Sequence, residues 1–439
     1  MSCAVRMAVF GLIESHALFA ASAVSAALAV IAVAKLSWLE KRREAGGPQT
    51  IHHGYTSRLG GVAVFVGYVV AITIATWSLI PPRPALSLLV AALPVFAVGL
   101  WEDLAHTVPP RNRLIAAIVS AVLASALADG VVPRVDIRFV DEWLAFLPFA
   151  LPVTWFMVAG ACNAFNIIDG NHGLAGGTGL LLFIGMALVA WSAGDALVLV
   201  NAAGMAGALV GFLAWNYPRG KIFLGDAGAY FVGFIYAELS IQLVARNPGI
   251  SAWFPIALAA YPIVEMLYSI FRRKLIRQGA AMQPDGLHLH SLLYVCVLAF
   301  VQRPRGDDRR QRIWTRVYPG MEQRRSIRGA NARVAPLLWL HAGVCFANAL
   351  FFYRDVGALI AFTCLYAVAY ILCYQSALRF SRRASPTEIE IEAPAPLRPA
   401  TASPPAEPAE TAEQAEPLAS ATGVLVLEQS SAYSPGTSR

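Results

Sequence analysis

Charge is scarce in this chain. Asp, Glu, Lys and Arg make up 14% of its 439 residues, where soluble globular domains carry about 25%. With 57% apolar residues, the deficit points to an integral membrane protein. Cysteine is scarce as well. Cys3, Cys162, Cys296, Cys345, Cys364 and Cys373 show no metal-ligand or framework spacing, so they are read as packing residues and no disulfide is implied. Basic residues are nearly missing ahead of the first apolar run. Arg6 alone precedes it, while Lys35, Lys41, Arg42 and Arg43 follow. That order suits an uncleaved anchor with its N-terminus outside, despite the small residues of AASAVSAALA. The chain also shows no clear internal repeat and no soluble domain.

Apolar runs of membrane length are abundant. A hydrocarbon core needs roughly 20 residues per helical span. Eleven spans are expected, at 10–34, 62–80, 84–100, 113–128, 143–161, 174–192, 196–215, 227–245, 252–271, 334–352 and 356–378. The predicted fold is therefore all-α: a polytopic membrane domain over 1–383, with a loop at 272–333 inside it. Beyond about residue 384, Pro, Ala, Glu and Thr without periodicity predict a disordered cytoplasmic tail to residue 439. With the N-terminus outside, all but Arg6, Arg83, Arg134, Arg138, Arg246 and Arg354 of the 34 Lys and Arg fall on the inner side. Positive charge collects on cytoplasmic loops, so the net charge of +7 requires no nucleic acid. The run RPRGDDRRQRIWTR (303–316) reads as a solvated loop at lipid headgroups.

The unusual polar residues gather on that same side, in HHGYTSRLGG (52–61), WEDLAHTVPPRNR (101–113), NAFNIIDGNHGLAGG (163–177), NYPRGKIFLGDAG (216–228) and PDGLHLHSLL (284–293). Asn163, Asn166 and Asp169 recur at i, i+3 and i+6, which puts two amides and a carboxylate on one side of a helix. Glu102 and Asp103 are adjacent and cannot share a face. One can point to a site and one to a partner, and a solvated helix end is the plain alternative. Asp226 opens a span, where an N-cap is the ordinary role of Asp. Four acids on one membrane face are nonetheless costly unless paired or bound to a cation. Hard oxygen donors and the lack of a cysteine set favour Mg²⁺ or Mn²⁺ over zinc. His288 and His290 can donate to phosphate oxygens, or be plain loop histidines. Glycines at 60–61, 170–177, 225 and 228 let backbone N–H groups approach an anion, with helix packing as the alternative for the deeper ones. Together these features suit phosphoryl transfer.

In this order, NAFNIIDG, WNYPRGKIFLGDAG and DGLHLH resemble the polyprenyl-phosphate N-acetylhexosamine-1-phosphate transferase family, over about residues 48–294. The resemblance implies a Mg²⁺-dependent enzyme with its active site on the cytoplasmic face of a bacterial inner membrane. There a polyprenyl (undecaprenyl) phosphate attacks the β-phosphate of a UDP-N-acetylhexosamine and releases UMP, initiating a cell-surface glycan such as an O-antigen. It further implies Asp226 as the metal ligand and Glu102, Asp103 and Asp169 as catalytic acids. Asn163 and Asn166 would line the site, and Asn216 and Phe223 would contact uridine. Lys221, His288 and His290 would meet phosphate, and Arg58 belongs to an Arg-x-Gly-Gly loop. A homodimer is also allowed.

The departures are specific. Glu102 replaces an Asp, His172 stands where a second Asp is usual, and Ser291 where a further His is common. Tyr55 and Ser57 take positions that are often Pro. Position 106 is His rather than the lysine of the pentapeptide-carrying branch, which favours a simpler UDP-sugar. The rival readings are a multi-span secondary transporter, whose site lies near mid-membrane, and a non-catalytic lipid-binding relative.

Overall fold

One segment of this chain, from Gly225 to Val244, is buried at every residue. Its sequence GDAGAYFVGFIYAELSIQLV is apolar or small all round, the pattern of a helix enclosed by others. The computed structural model describes residues 3–35, 56–276, 287–301 and 319–384. The chain divides into two units, Met1–Ile391 and Glu392–Arg439. The expected tail from 385, the run 303–316 and Tyr55 lie outside the described residues.

Among the described residues the regular structure is helical throughout. The helices are α1 (Cys3–Lys35), α2 (Gly60–Ser78), α3 (Pro82–Ala105), α4 (Pro110–Leu127), α5 (Arg138–Leu144), α6 (Leu147–Ile168) and α7 (Leu174–Ala193). They continue as α8 (Ala196–Asn216), α9 (Gly225–Arg246), α10 (Trp253–Leu258), α11 (Ala260–Phe271), α12 (Leu289–Val301), α13 (Pro319–Phe352) and α14 (Val356–Ala384). Ten of them are long and apolar enough to cross a membrane: α1 to α4, α6 to α9, α13 and α14.

The eleventh expected span, 252–271, is divided into α10 and α11 at Ala259. Pro262 explains the break, because it has no N–H to give to Leu258 and its ring crowds that carbonyl. Hydropathy measures apolar length and does not register the interruption. Two further boundaries differ. The helix carrying NAFNII starts at Leu147, because short α5 takes up the residues ahead of it. Within 272–333, residues 289–301 form α12, apolar but at 13 residues too short to span.

α9 packs against α2, α3 and α6, and the approach is close. A Cβ on Gly61 would stand 2.2 Å from the Gly228 nitrogen, so α2 and α9 cross backbone to backbone, as small residues permit. Successive spans alternate in direction. The motif-bearing connections therefore meet at one end of the bundle and the short, plain ones at the other.

Candidate active site

The loop before α2 and the loop before α9 are tied together first. Phe223 N–H donates to the Ser57 carbonyl (2.8 Å), Gly60 N–H to Phe223 (2.9 Å) and Gly61 N–H to Leu224 (2.8 Å). This ladder brings Arg58 to the start of α9. There the first turn of a helix leaves orphan N–H groups, and Asp103 takes two of them. Its carboxylate accepts from Asp226 N–H (2.9 Å) and Ala227 N–H (2.8 Å), with Arg58 Nε 3.2 Å away. Asp103 is fully buried. The capping role that sequence allows for Asp226 is thus filled by a residue 123 positions earlier.

Asp226 is left to face charge. Its side chain is only 5% exposed and accepts from Arg58 Nη2 at 2.8 Å. Arg113 Nη1 pairs with the other oxygen, and Asn166 Nδ2 lies 3.2 Å from Oδ1. Arg58 thereby bridges two carboxylates, and Asp226 holds two guanidinium groups. Such charge-assisted bonds are the strong ones.

Asp169 ends α6 as its C-cap residue. Burial pushes its carboxyl up to about 7, Arg58 pulls against that and Asp226 adds to it, while the Gly225 N–H favours the anion. Asn163 sits one turn back from Asn166, where its Oδ1 accepts from Tyr230 O–H at 3.2 Å. Glu102 turns the other way from Asp103 and accepts the Val108 N–H at 2.8 Å.

The remaining expected residues divide. His288 and His290 stack with ring centres 5.4 Å apart and an interplanar angle of 8°. A Cβ on Gly170 would lie 2.2 Å from His290 Nε2, so the pair joins the turn that follows Asp169. Burial, then His288, holds the His290 imidazole down at about 4. Asn216 is a brace: its Oδ1 accepts Gly173 N–H and its Nδ2 donates to Ile222, both at 2.6 Å. Phe223 lies 5.6 Å from the His172 ring. His172 in turn places Nδ1 3.3 Å from the Pro218 carbonyl, so it fills the space between two loops. Lys221 sits 5.0 Å over the Trp215 ring and lines a recess with Val30, Ile31 and Lys35. It is not among the groups gathered on Asp226.

Sequence reasoning missed Arg113 as a site residue and counted it only as inner-side charge. One signal was available, since a cation in the first turn of a helix opposes the macrodipole and so calls for a partner. Glu265 was missed too. It is buried in α11 and hydrogen-bonded to the His288 ring. Among the described residues, no group of three or more His, Cys, Asp and Glu is arranged to hold a metal ion.

Comparison with known proteins agrees with this geometry. The glycosyl transferase family 4 model matches residues 85–244, which run from α3 through most of α9. A probable undecaprenyl-phosphate N-acetylglucosaminyl 1-phosphate transferase of Bacillus subtilis is 30% identical over 247 residues, covering 55% of this chain and 67% of that protein. The undecaprenyl-phosphate alpha-N-acetylglucosaminyl 1-phosphate transferase of Salmonella typhi is 29% identical over 248 residues, 55% of this chain and 66% of its own. A phospho-N-acetylmuramoyl-pentapeptide-transferase of Halalkalibacterium halodurans is 29% identical over 218 residues, 47% of this chain and 67% of its own. The chain thus spans about two thirds of the length of the relatives it matches. By these matches and by its motif order, it belongs to glycosyl transferase family 4, the family of the polyprenyl-phosphate N-acetylhexosamine-1-phosphate transferases.

Proposed function

We propose that this chain transfers a HexNAc-1-phosphate from a UDP-sugar to undecaprenyl phosphate, releasing UMP, as the first step of a cell-surface glycan. The observation that carries the reading is Asp226 with Arg58 and Arg113 on its two oxygens, beside buried Asp103 and Asp169. A phosphate monoester has a second pKa of about 6, so the lipid phosphate is mostly a dianion at neutral pH. Its oxygen forms the new bond to the β-phosphorus as the bond to UMP breaks, and UMP leaves with the electron pair. Two anions must approach, so charge neutralisation outweighs base strength. Arg58 and Arg113 supply fixed cations for it, and the stacked His288 and His290 add donors at the Asp169–Gly170 turn. Asp103 keeps both oxygens on backbone N–H groups, which favours direct transfer over a covalent step through that residue.

The donors suit Mg²⁺, with Mn²⁺ as a substitute. Asp226, Asn166 and Asp169 offer hard oxygens, and an ion that retains waters and shares substrate phosphate oxygens needs only one or two carboxylates. Asp226, with Asp169 near it, would hold the ion, which when bound supplies Lewis-acid charge on the diphosphate. The distribution of Lys and Arg supports a cytoplasmic position for the motif end, with the N-terminus outside. Purified protein given undecaprenyl phosphate, Mg²⁺ and a panel of UDP-HexNAc sugars is expected to release UMP from at least one. Release from none contradicts the reading.

A further inference from the structure

The H-x-H pair is held from behind by residues outside the stretch that matches the family model. Glu265 of α11 is fully buried, and its partners come from three elements. Oε1 accepts from Leu289 N–H at 3.2 Å and lies 3.2 Å from His288 Nδ1. Oε2 accepts from Tyr370 O–H of α14 at 2.6 Å. Tyr374, one turn further on, donates to the Leu287 carbonyl at 2.9 Å, so the same helix fixes the backbone just before His288. Ser269 Oγ lies 3.1 Å from the same imidazole nitrogen.

An ionised carboxylate is acceptor-only, and Glu265 already receives a backbone N–H and a phenol O–H. The imidazole Nδ1 must then carry a proton and donate it. That sets the ring's orientation and leaves Nε2 as its variable nitrogen, the arrangement by which a carboxylate fixes a functional histidine. His290 stacks on this ring and reaches Gly170, so fixing one ring fixes both against the Asp169 turn.

We infer that Glu265, secured by Tyr370, is a positioning residue that sets the tautomer and orientation of His288 for the transfer reaction. This rests on the function proposed above. It also gives α11 and α14 a task beyond spanning the membrane: their polar side chains meet behind the motif.

The test uses the full chain in lipid nanodiscs, with Glu265→Gln, Tyr370→Phe, His288→Ala and the double variant Glu265→Gln/His288→Ala. Gln keeps the size and an acceptor oxygen, so folding should survive, and the thermal midpoint checks it. Glu265→Gln is expected to lower kcat about 10- to 100-fold with little change in KM, and Tyr370→Phe less. In the His288→Ala background Glu265→Gln should add nothing, because residues acting through one another are non-additive. Equal losses in both backgrounds would show mere structural support and overturn the inference. An activity-independent arm uses ¹⁵N-imidazole NMR above the ordinary imidazole pKa of about 6.5. The His288 signal should be Nδ1–H in the unmodified chain and lose intensity to Nε2–H in Glu265→Gln. An Nε2–H signal in the unmodified chain overturns the inference. If the unmodified chain releases no UMP from any sugar, the proposed function fails and the NMR arm alone decides the positioning role.

Discussion

Both ends of this bundle carry Asp–Arg pairs, and they are built differently. At the end away from the motifs, Asp195 caps α8 through Val198 N–H and meets Arg246 Nε and Asn247 Nδ2, both at 2.9 Å. Asp136 pairs with Arg134 and gives its other oxygen to Ala252 N–H (2.7 Å) and Ser251. Each carboxylate there has one guanidinium, and its other bonds go to helix starts and loops. Arg246 is half exposed, and a pair that open to water is worth only about 0–1 kcal/mol. At the motif end Asp226 takes two guanidinium groups and Arg58 reaches two carboxylates, nearly out of water. The difference teaches that sharing, more than the presence of an ion pair, separates a charge-handling site from a staple between loops.

The strongest way to break this contrast is Asp226→Asn. It removes the anion that Arg58 and Arg113 share, and UMP release is expected to fall by about 10²- to 10³-fold. Next comes Arg113→Gln, expected to cost about 10- to 100-fold in kcat/KM. Arg113→Lys should recover only part of it, since an ammonium lacks the guanidinium fork. Glu102→Gln is expected to cost less than about tenfold, because Gln can still accept the Val108 N–H. The order Asp226 before Glu102 is itself a test, and a membrane assay with matched expression reads it.

Asp169 sharpens the contrast through pH. Its folded carboxyl stands at about 7, against about 3.9 in an unfolded chain, so the folded state binds the proton more tightly. Stability should therefore fall as pH rises from about 4 to about 7 and level off above. Asp169→Asn removes that slope. Its thermal midpoint should exceed that of the unmodified chain by a few degrees above pH 7 and converge with it near pH 4. The smallest effect belongs to the opposite end. Asp195→Ala should cost about 1 kcal/mol as a lost cap, visible in the thermal midpoint, and leave UMP release unchanged.

Much of this was legible in the residues. The i, i+3, i+6 spacing put Asn163 and Asn166 on one face of α6 running into Asp169, and one-sided loops brought Arg58, Asp103 and Asp226 together. What escaped was partnership over distance. Nothing local to Asp103 says that its carboxylate caps a helix 123 residues later. Nothing near Tyr370 says that its hydroxyl meets Glu265. The break between α10 and α11 was written in Pro262, which apolar length alone concealed. Lys221 shows the converse: its motif position pointed to phosphate, while its side chain rests on Trp215.

The measurement closest to the central claim is UMP release from a UDP-HexNAc with undecaprenyl phosphate, compared between Asp226→Asn and Asp195→Ala at equal folded protein. Both substitutions take one carboxylate from arginine, at opposite ends of the bundle. The account predicts near-complete loss in the first and full activity in the second. Equal activity in the two, or a greater loss in Asp195→Ala, would contradict it.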